Sequence, residues 1–202
     1  MTSNSASPQK TTSSTRASRL RPVLVGALVV AAFTIALYST QLLTQSEAAR
    51  EFIASFGYLG VGFLAIVAGL NAVVPVPAAT LTPLFIAAGL SVLGIIVALT
   101  LGTLIADLTG YLLGWAGRDI VREKYPRTYH FFTTLQEERR HFVPPTAFLY
   151  ASFVPFPNEA LVIPLALSGV PVRTLLLPLL LGNIVHQSLL VYGVTNVVTF
   201  LF

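Results

Sequence analysis

Apolar runs fill the chain from residue 22 onward, and the polar stretches between them are short. Residues 22–43 form one apolar run of the length that crosses a bilayer, about 20 residues. Phe56–Val73 runs apolar into a doubled proline at Pro75 and Pro77, and Ala78–Leu90 runs apolar out of it. Val92–Ala116 again has spanning length. Pro144–Val154 leads to a second doubled proline, Pro155 and Pro157; Asn158–Gly169 leaves it, and Arg173–Val194 could cross once more. The pattern predicts an all-α polytopic membrane protein with about three full transmembrane helices.

The two proline segments repeat each other at an offset of 80 residues. Val74-Pro75-Val76-Pro77 is echoed by Val154-Pro155-Phe156-Pro157, Gly89 by Gly169 and Gly102 by Gly182. Residues 74–102 and 154–182 share 9 of 29 positions without a gap. Proline lacks the amide donor and fixes φ, so each pair breaks its apolar helix. Broken apolar segments at matching places in two halves point to a transporter site near the bilayer midplane.

Charge decides how these segments cross. Of the residues 54% are hydrophobic and 10% charged, which excludes an ordinary soluble domain. The net charge of +4 resides in Lys10, Arg16, Arg19 and Arg21 of an acid-free tail, since the other eight basic and eight acidic residues cancel. Arg118–Phe142 carries six basic and four acidic residues. Both basic regions belong on the inner side. Full crossings at the proline segments would need pieces of 11–13 residues to span, which is too short. Re-entrant hairpins that leave on the side they entered bring the tail, the charged loop and Arg173 inside together. They also enter from opposite faces, as an inverted repeat requires. The expected organisation is a disordered basic tail, 1–21, an N-terminal transmembrane helix, 22–44, and a membrane domain, 50–195. That domain divides into hairpin 56–90, helix 91–117, charged cytoplasmic loop 118–142, hairpin 143–169 and helix 172–195. A short C-terminus, 196–202, follows. A signal peptide ending near Ala48 or Ala49 is the alternative for the first span. The expected location is the plasma or inner membrane with the N-terminus cytoplasmic, an organellar membrane being the alternative.

Several polar residues stand out against this background. Asp107, Gly110, Tyr111, Gly114 and Arg118 share one helix face, with Gly102 and Gly117 as further small residues for close packing. Asp107 lies about 15 Å of helix rise from Arg118, near mid-bilayer, where an acid costs about 2.5–3.5 kcal/mol and should meet protein or water. A structural bond to a hairpin backbone is the plainer role. Asn183, His186 and Gln187 share a face of the last span, and Gln187 stands at the repeat position of Asp107. His186 could relay protons or simply donate to a neighbour. Asn158 and Glu159 follow the second break. Glu159 either caps its helix start or offers a carboxylate to a cation or proton. These residues, with Arg118, are the candidate substrate or ion path, and Pro75, Pro77, Pro155 and Pro157 the hairpin tips. The aromatic and basic mixture of 118–142 suits anionic headgroups. Without cysteines, disulfides and thiolate metal sites are excluded. The three histidines show no metal-ligand spacing, and no nucleophile elbow or phosphate loop is present. No metal, no cofactor, no nucleic acid and no enzyme activity are expected.

These residues resemble the DedA family, whose core is also called the VTT or SNARE-associated domain. The match is strongest over Gly102-x-x-x-Ala106-Asp107-x-x-Gly110-Tyr111-x-x-Gly114-x-x-Gly117-Arg118, flanked by proline-tipped segments. It covers roughly residues 50–195. Departures are specific. Where the family usually carries an acid after the first break the chain has Ala78 and Ala79, and where it carries arginines around the second it has Ser152 and Asn158. The resemblance implies lipid handling: translocation of undecaprenyl phosphate or a phospholipid, or proton-dependent membrane homeostasis. The expected partners are membrane lipids, with anionic or phosphate-bearing headgroups, and protons, and self-association into a homo-oligomer is left open. The alternatives are a proton- or ion-coupled solute transporter and a non-transporting assembly factor.

The topology has a direct check, since every introduced cysteine is unique. Single cysteines at residues 46 and 91 should label from the outer side, and those at 130 and 172 from the inner side. Labelling of 46 and 91 from opposite sides would replace the hairpin by a full crossing.

Overall fold

The computed structural model describes residues 31, 34–35, 38–40, 42–70, 78–138 and 140–201. Residues 1–35 and 36–202 form two separate units, and the architecture below is that of the second. The tail 1–21, most of the 22–44 span, and the first-tip prolines Pro75 and Pro77 lie outside the described residues.

The described chain is helical throughout: α1 (Glu47–Gly69), a 3-10 turn (Ala78–Leu81), α2 (Thr82–Ala87), α3 (Val92–Lys124), α4 (Pro126–Glu138), a 3-10 turn (Arg140–Phe142), α5 (Val143–Phe153), α6 (Glu159–Leu167) and α7 (Val172–Leu201). Three of these, α1, α3 and α7, are long and apolar enough to cross a membrane. Ser46 and Ser91 start α1 and α3, their hydroxyls accepting from Ala49 N at 3.4 Å and Gly94 N at 3.2 Å. Such caps satisfy amides that have no partner inside the helix. Leu93, Val97, Leu101, Leu112 and Leu113 stay exposed on α3, an apolar surface suited to lipid.

One expected boundary changes, and two features of α1 stand beside it. The polar residues 47–55 are already helical as the first turns of α1. The segment 118–142, expected as a loop, continues α3 to Lys124 and then forms α4. Charge marks where apolar sequence stops, not where a helix stops. α3 ends because Tyr125 precedes Pro126 and leaves the helical region, at φ −130°. α1 is not one rod: Gly57, at φ 55° and ψ −144°, breaks it in a conformation open chiefly to glycine. The straight part, residues 58–69, is about 18 Å long, roughly half a bilayer.

Packing follows the repeat. Gly62 faces Ala98, Gly102 faces Gly62 and Ala65, and Gly69 faces Ala106, so α1 and α3 run parallel. The chain returns between them. Ser91, at the end of the return, is bonded through both N and Oγ to the Tyr58 hydroxyl, each at 3.0 Å. The start of α3 is therefore held at the level of residue 58 of α1. In the second half α5 packs on α7, with Gly182 against Phe148 and Ala151. The outgoing arms cross over: α6 lies on α3, while the first 3-10 turn and α2 lie on α7. Two apolar clusters result, one including Val61, Phe85, Ile95, Leu99 and Val191, the other Ala147, Val162, Val170, Leu175 and Leu179.

The turns that end α2 and α6 match bond for bond. Ala88, Gly89 and Leu90 donate to Leu84, Ile86 and Phe85; Ser168, Gly169 and Val170 donate to Pro164, Ala166 and Leu165. Gly89 sits at φ 88° and Gly169 at φ 90°, the left-handed conformation that closes a helix.

Gly102 should tolerate no side chain. A Cβ there would meet the Gly62 carbonyl and Ala65, so Gly102→Val should lower stability by about 1–3 kcal/mol. Gly193 has open space around it, and Gly193→Ala should be neutral or stabilising by up to about 1 kcal/mol. Unfolding of both variants in detergent checks the contrast.

Candidate functional site

Asp107 sits at the centre of α3 and is 1% exposed. Its Oδ2 accepts from Asn183 Nδ2 at 2.7 Å and from Asn158 Nδ2 at 3.1 Å. Asn158 also donates to Asn183 Oδ1 at 3.0 Å. Three segments thus meet in a closed triangle: α3, the residue after the second proline pair, and α7. Burial of a carboxylate is costly unless donors replace water, and here two neutral amides do so. Asn158 occupies the N-cap position of α6 but makes no side-chain cap bond. Its amide is committed to Asp107 instead.

One turn away, Gln187 Nε2 donates to Thr103 Oγ1 at 2.9 Å. The pairs Asp107–Asn183 and Thr103–Gln187 show that α3 and α7 run antiparallel. His186 is not part of the triangle; its Nδ1 lies 3.3 Å from the Ser152 carbonyl oxygen. Ser152 is buried and donates its own hydroxyl to Phe148 O at 2.7 Å.

Glu159 begins α6 and is half-buried. Its side chain lies against Gly110, where a Cβ would come within 2.9 Å of Glu159 Cγ. A glycine at that position is what admits the acid. Gly114 receives Ile163 and Ala166 in the same way, and Gly117 lies near Leu167. The small face of α3 is therefore the bed for α6. Pro155 is exposed, and the Pro157 carbonyl accepts from Ala160 N at 3.1 Å.

Two contacts fix the far end of α6. Tyr111 donates its hydroxyl to Val170 O at 2.9 Å. Arg118 packs over Gly169, where a side chain would be 2.9 Å from its Nη2, and donates from Nε and Nη2 to the Tyr129 hydroxyl at 3.1 and 3.0 Å. Its cation also favours the C-terminal end of α6. Arg118 is thus eleven residues from Asp107 and serves the base of this arm, not its tip.

The sequence had singled out Asp107, Asn158 and Asn183, which come together, and Gln187, which lies beside them. Thr103 and Tyr129 were missed. Thr103 was findable: it is the repeat position of Asn183 and lies one turn before Asp107. Nothing in the sequence marks Tyr129 among the other aromatics of 118–142. Among the described residues no three His, Asp or Glu side chains converge as a metal site would need.

A family comparison bears on this same stretch. The VTT domain, the DedA or SNARE-associated domain, matches residues 74–196, more than half the chain. The chain belongs to this family. No curated protein and no solved structure matches it. In this VTT-domain protein the matched region contains the whole Asp107 triangle, the α3–α7 ladder and both glycine-closed turns.

Loss of one donor should cost more than loss of the acid. Asn183→Leu leaves a buried carboxylate underbonded and should lower stability by about 2–3 kcal/mol. Asp107→Asn removes the charge with its desolvation cost and should cost less. Denaturant or thermal unfolding of the two variants checks the order.

Proposed function

We propose that the protein translocates or scrambles a membrane lipid, an undecaprenyl phosphate or a phospholipid, through two opposed re-entrant hairpins related by an in-plane pseudo-two-fold. The observation that carries this reading is the buried Asp107, bonded through Oδ2 to two carboxamides beside the second proline pair. An acid at that depth is a functional-site hypothesis by default, and here it faces broken backbone, the usual place of a membrane transport site.

The paired geometry supports the inverted repeat. Adding or subtracting 80 turns the pair Asp107–Asn183 into Gln187–Thr103, and both bonds are present. Antiparallel helices crossing at such a pair of exchanged contacts are what an in-plane two-fold produces. The Tyr58–Ser91 bonds support re-entry, because they hold the start of α3 at the level of residue 58 of α1. The apolar helices and the family give a membrane location. In this proposal the basic tail lies on the inner side, so the N-terminus is cytoplasmic and the membrane a plasma or inner one. Within this proposal lipids, and protons as a coupling ion, are the partners, and no covalent chemistry is catalysed.

A second reading, an assembly factor without transport, draws on one observation. The Asp107 triangle is closed upon itself, and Ser152 bonds within its own helix. A proton- or ion-coupled solute carrier would use the same tips.

Reconstitution in proteoliposomes with labelled lipids of several headgroups tests the first reading. The wild type should equilibrate at least one lipid class between leaflets. Glu159→Gln should keep the fold and lower that rate several-fold, because it alters the acid beside the second tip with little change in shape. No lipid movement by the wild type for any headgroup would favour the assembly reading. Unchanged rates in Glu159→Gln would return that residue to capping α6.

A further inference from the structure

The turns that end α2 and α6 match in backbone, but the residues that precede the two arms do not match in side chains, and the gap falls on a buried polar atom. In the second half Asn158 supplies the third leg of a triangle with Asp107 and Asn183. Its counterparts in the first half are Ala78, Gln187 and Thr103. Gln187 and Thr103 make their mutual bond, but Ala78 has no donor or acceptor in its side chain. Gln187 is 7% exposed, and its Oε1 has no hydrogen-bond partner among the described residues. Rotating the amide by half a turn would merely leave Nε2 unpaired instead. Thr100, 3% exposed and one turn before Thr103 on α3, has a second unpaired oxygen. Ala78 packs in the apolar cluster that contains Val191, one turn beyond Gln187. The first 3-10 turn and α7 are therefore in contact, as α6 and α3 are.

A buried polar atom without a partner costs as much as a lost hydrogen bond and calls for an explanation. We propose that Gln187 and Thr103 form a second polar subsite, which takes a small O–H or N–H group in the place that the Asn158 carboxamide fills in the other half. It rests on the inverted arrangement proposed above. The guest is a water molecule or the hydroxyl or amine of a lipid headgroup, two sources of one chemistry. One half thus carries its own amide, and the other borrows a group.

Restoring the missing leg tests this. Ala78→Asn should raise the unfolding midpoint by about 2–4 °C, because the carboxamide makes the guest's bond without the cost of immobilising a separate molecule. Ala78→Leu, larger but without a donor, should not raise it. The double variant Gln187→Leu with Thr103→Val removes both partners. It should lower the midpoint if a guest fills the subsite, and leave it equal or higher if none does. An equal or higher midpoint in the double variant overturns the proposal, whatever the Ala78→Asn midpoint. Should Ala78→Asn fail to fold, the double variant decides alone. In proteoliposomes, phosphatidylethanolamine and phosphatidylglycerol carry such groups and phosphatidylcholine does not. A fall of about threefold or more in their rates relative to phosphatidylcholine in Ala78→Asn assigns the guest to the headgroup. A lowered midpoint in the double variant with unchanged relative rates in Ala78→Asn assigns it to water. If the wild type moves no lipid, the translocation reading fails while the thermal comparison still judges the subsite.

Discussion

A carboxylate in the apolar middle of α3 sets the terms for what surrounds it. Asp107 cannot face lipid without a cost of about 2.5–3.5 kcal/mol, so donors must be brought to it. They come from two separate places in the chain, the residue after Pro157 and the middle of α7. Meeting one acid therefore fixes three segments against one another. Gly110 and Gly114 are part of the same solution. Without side chains there, α6 can lie close enough along α3 for Asn158 to reach the carboxylate. Tyr111 and Arg118 then hold the other end of that arm.

The turns that end α2 and α6 share a backbone plan, but the two arms are held by different forces. Each polar clamp at the far end of α6 has an apolar counterpart 80 residues away. Tyr111 and Val170 correspond to Val191 and Leu90; Arg118, over Gly169, corresponds to Val198, and nothing lies within 4 Å of a side chain built on Gly89. Gly110 and Gly114 correspond to Leu190 and Val194. The outgoing arm of the second half thus lies on a flat face and is tied at both ends, whereas its partner rests on bulky apolar side chains. Directional bonds specify one geometry, while apolar contacts tolerate several. The halves are accordingly unequal in the kind of contact that holds them as well as in charge.

Much of this was legible in the sequence, for physical reasons that can be named. The cost of an intramembrane acid and the 3.6-residue period identified the Asp107 face. The 80-residue offset identified Gln187 as its counterpart, and Gly89 and Gly169 as matching turns. Apolarity located α3 and α7 but not their ends, because both extend as helices past the bilayer's hydrocarbon thickness. Charged residues such as Arg122 and Lys124 are good helix formers, so residues 118–138 stay helical except at the Tyr125–Pro126 junction. The break at Gly57 left no sign, since an isolated glycine in an apolar run is as often a packing residue. Thr103 was hidden for a different reason. Threonine costs little in a membrane helix, and only its place in the repeat gives it meaning.

The departures from the family resemblance acquire a chemical sense in this geometry. Where that resemblance places an arginine, Asn158 still faces Asp107 but brings no charge. An arginine would neutralise the acid and offer spare donors to an anion. Asparagine satisfies the acid and leaves its charge in place. Glu159 lies one residue further on, and the nearest base on the small face of α3, Arg118, is engaged with Tyr129 a full eleven residues away. The second tip thus gathers acidic and neutral groups, and the basic side chains gather at the end of α3 and beyond.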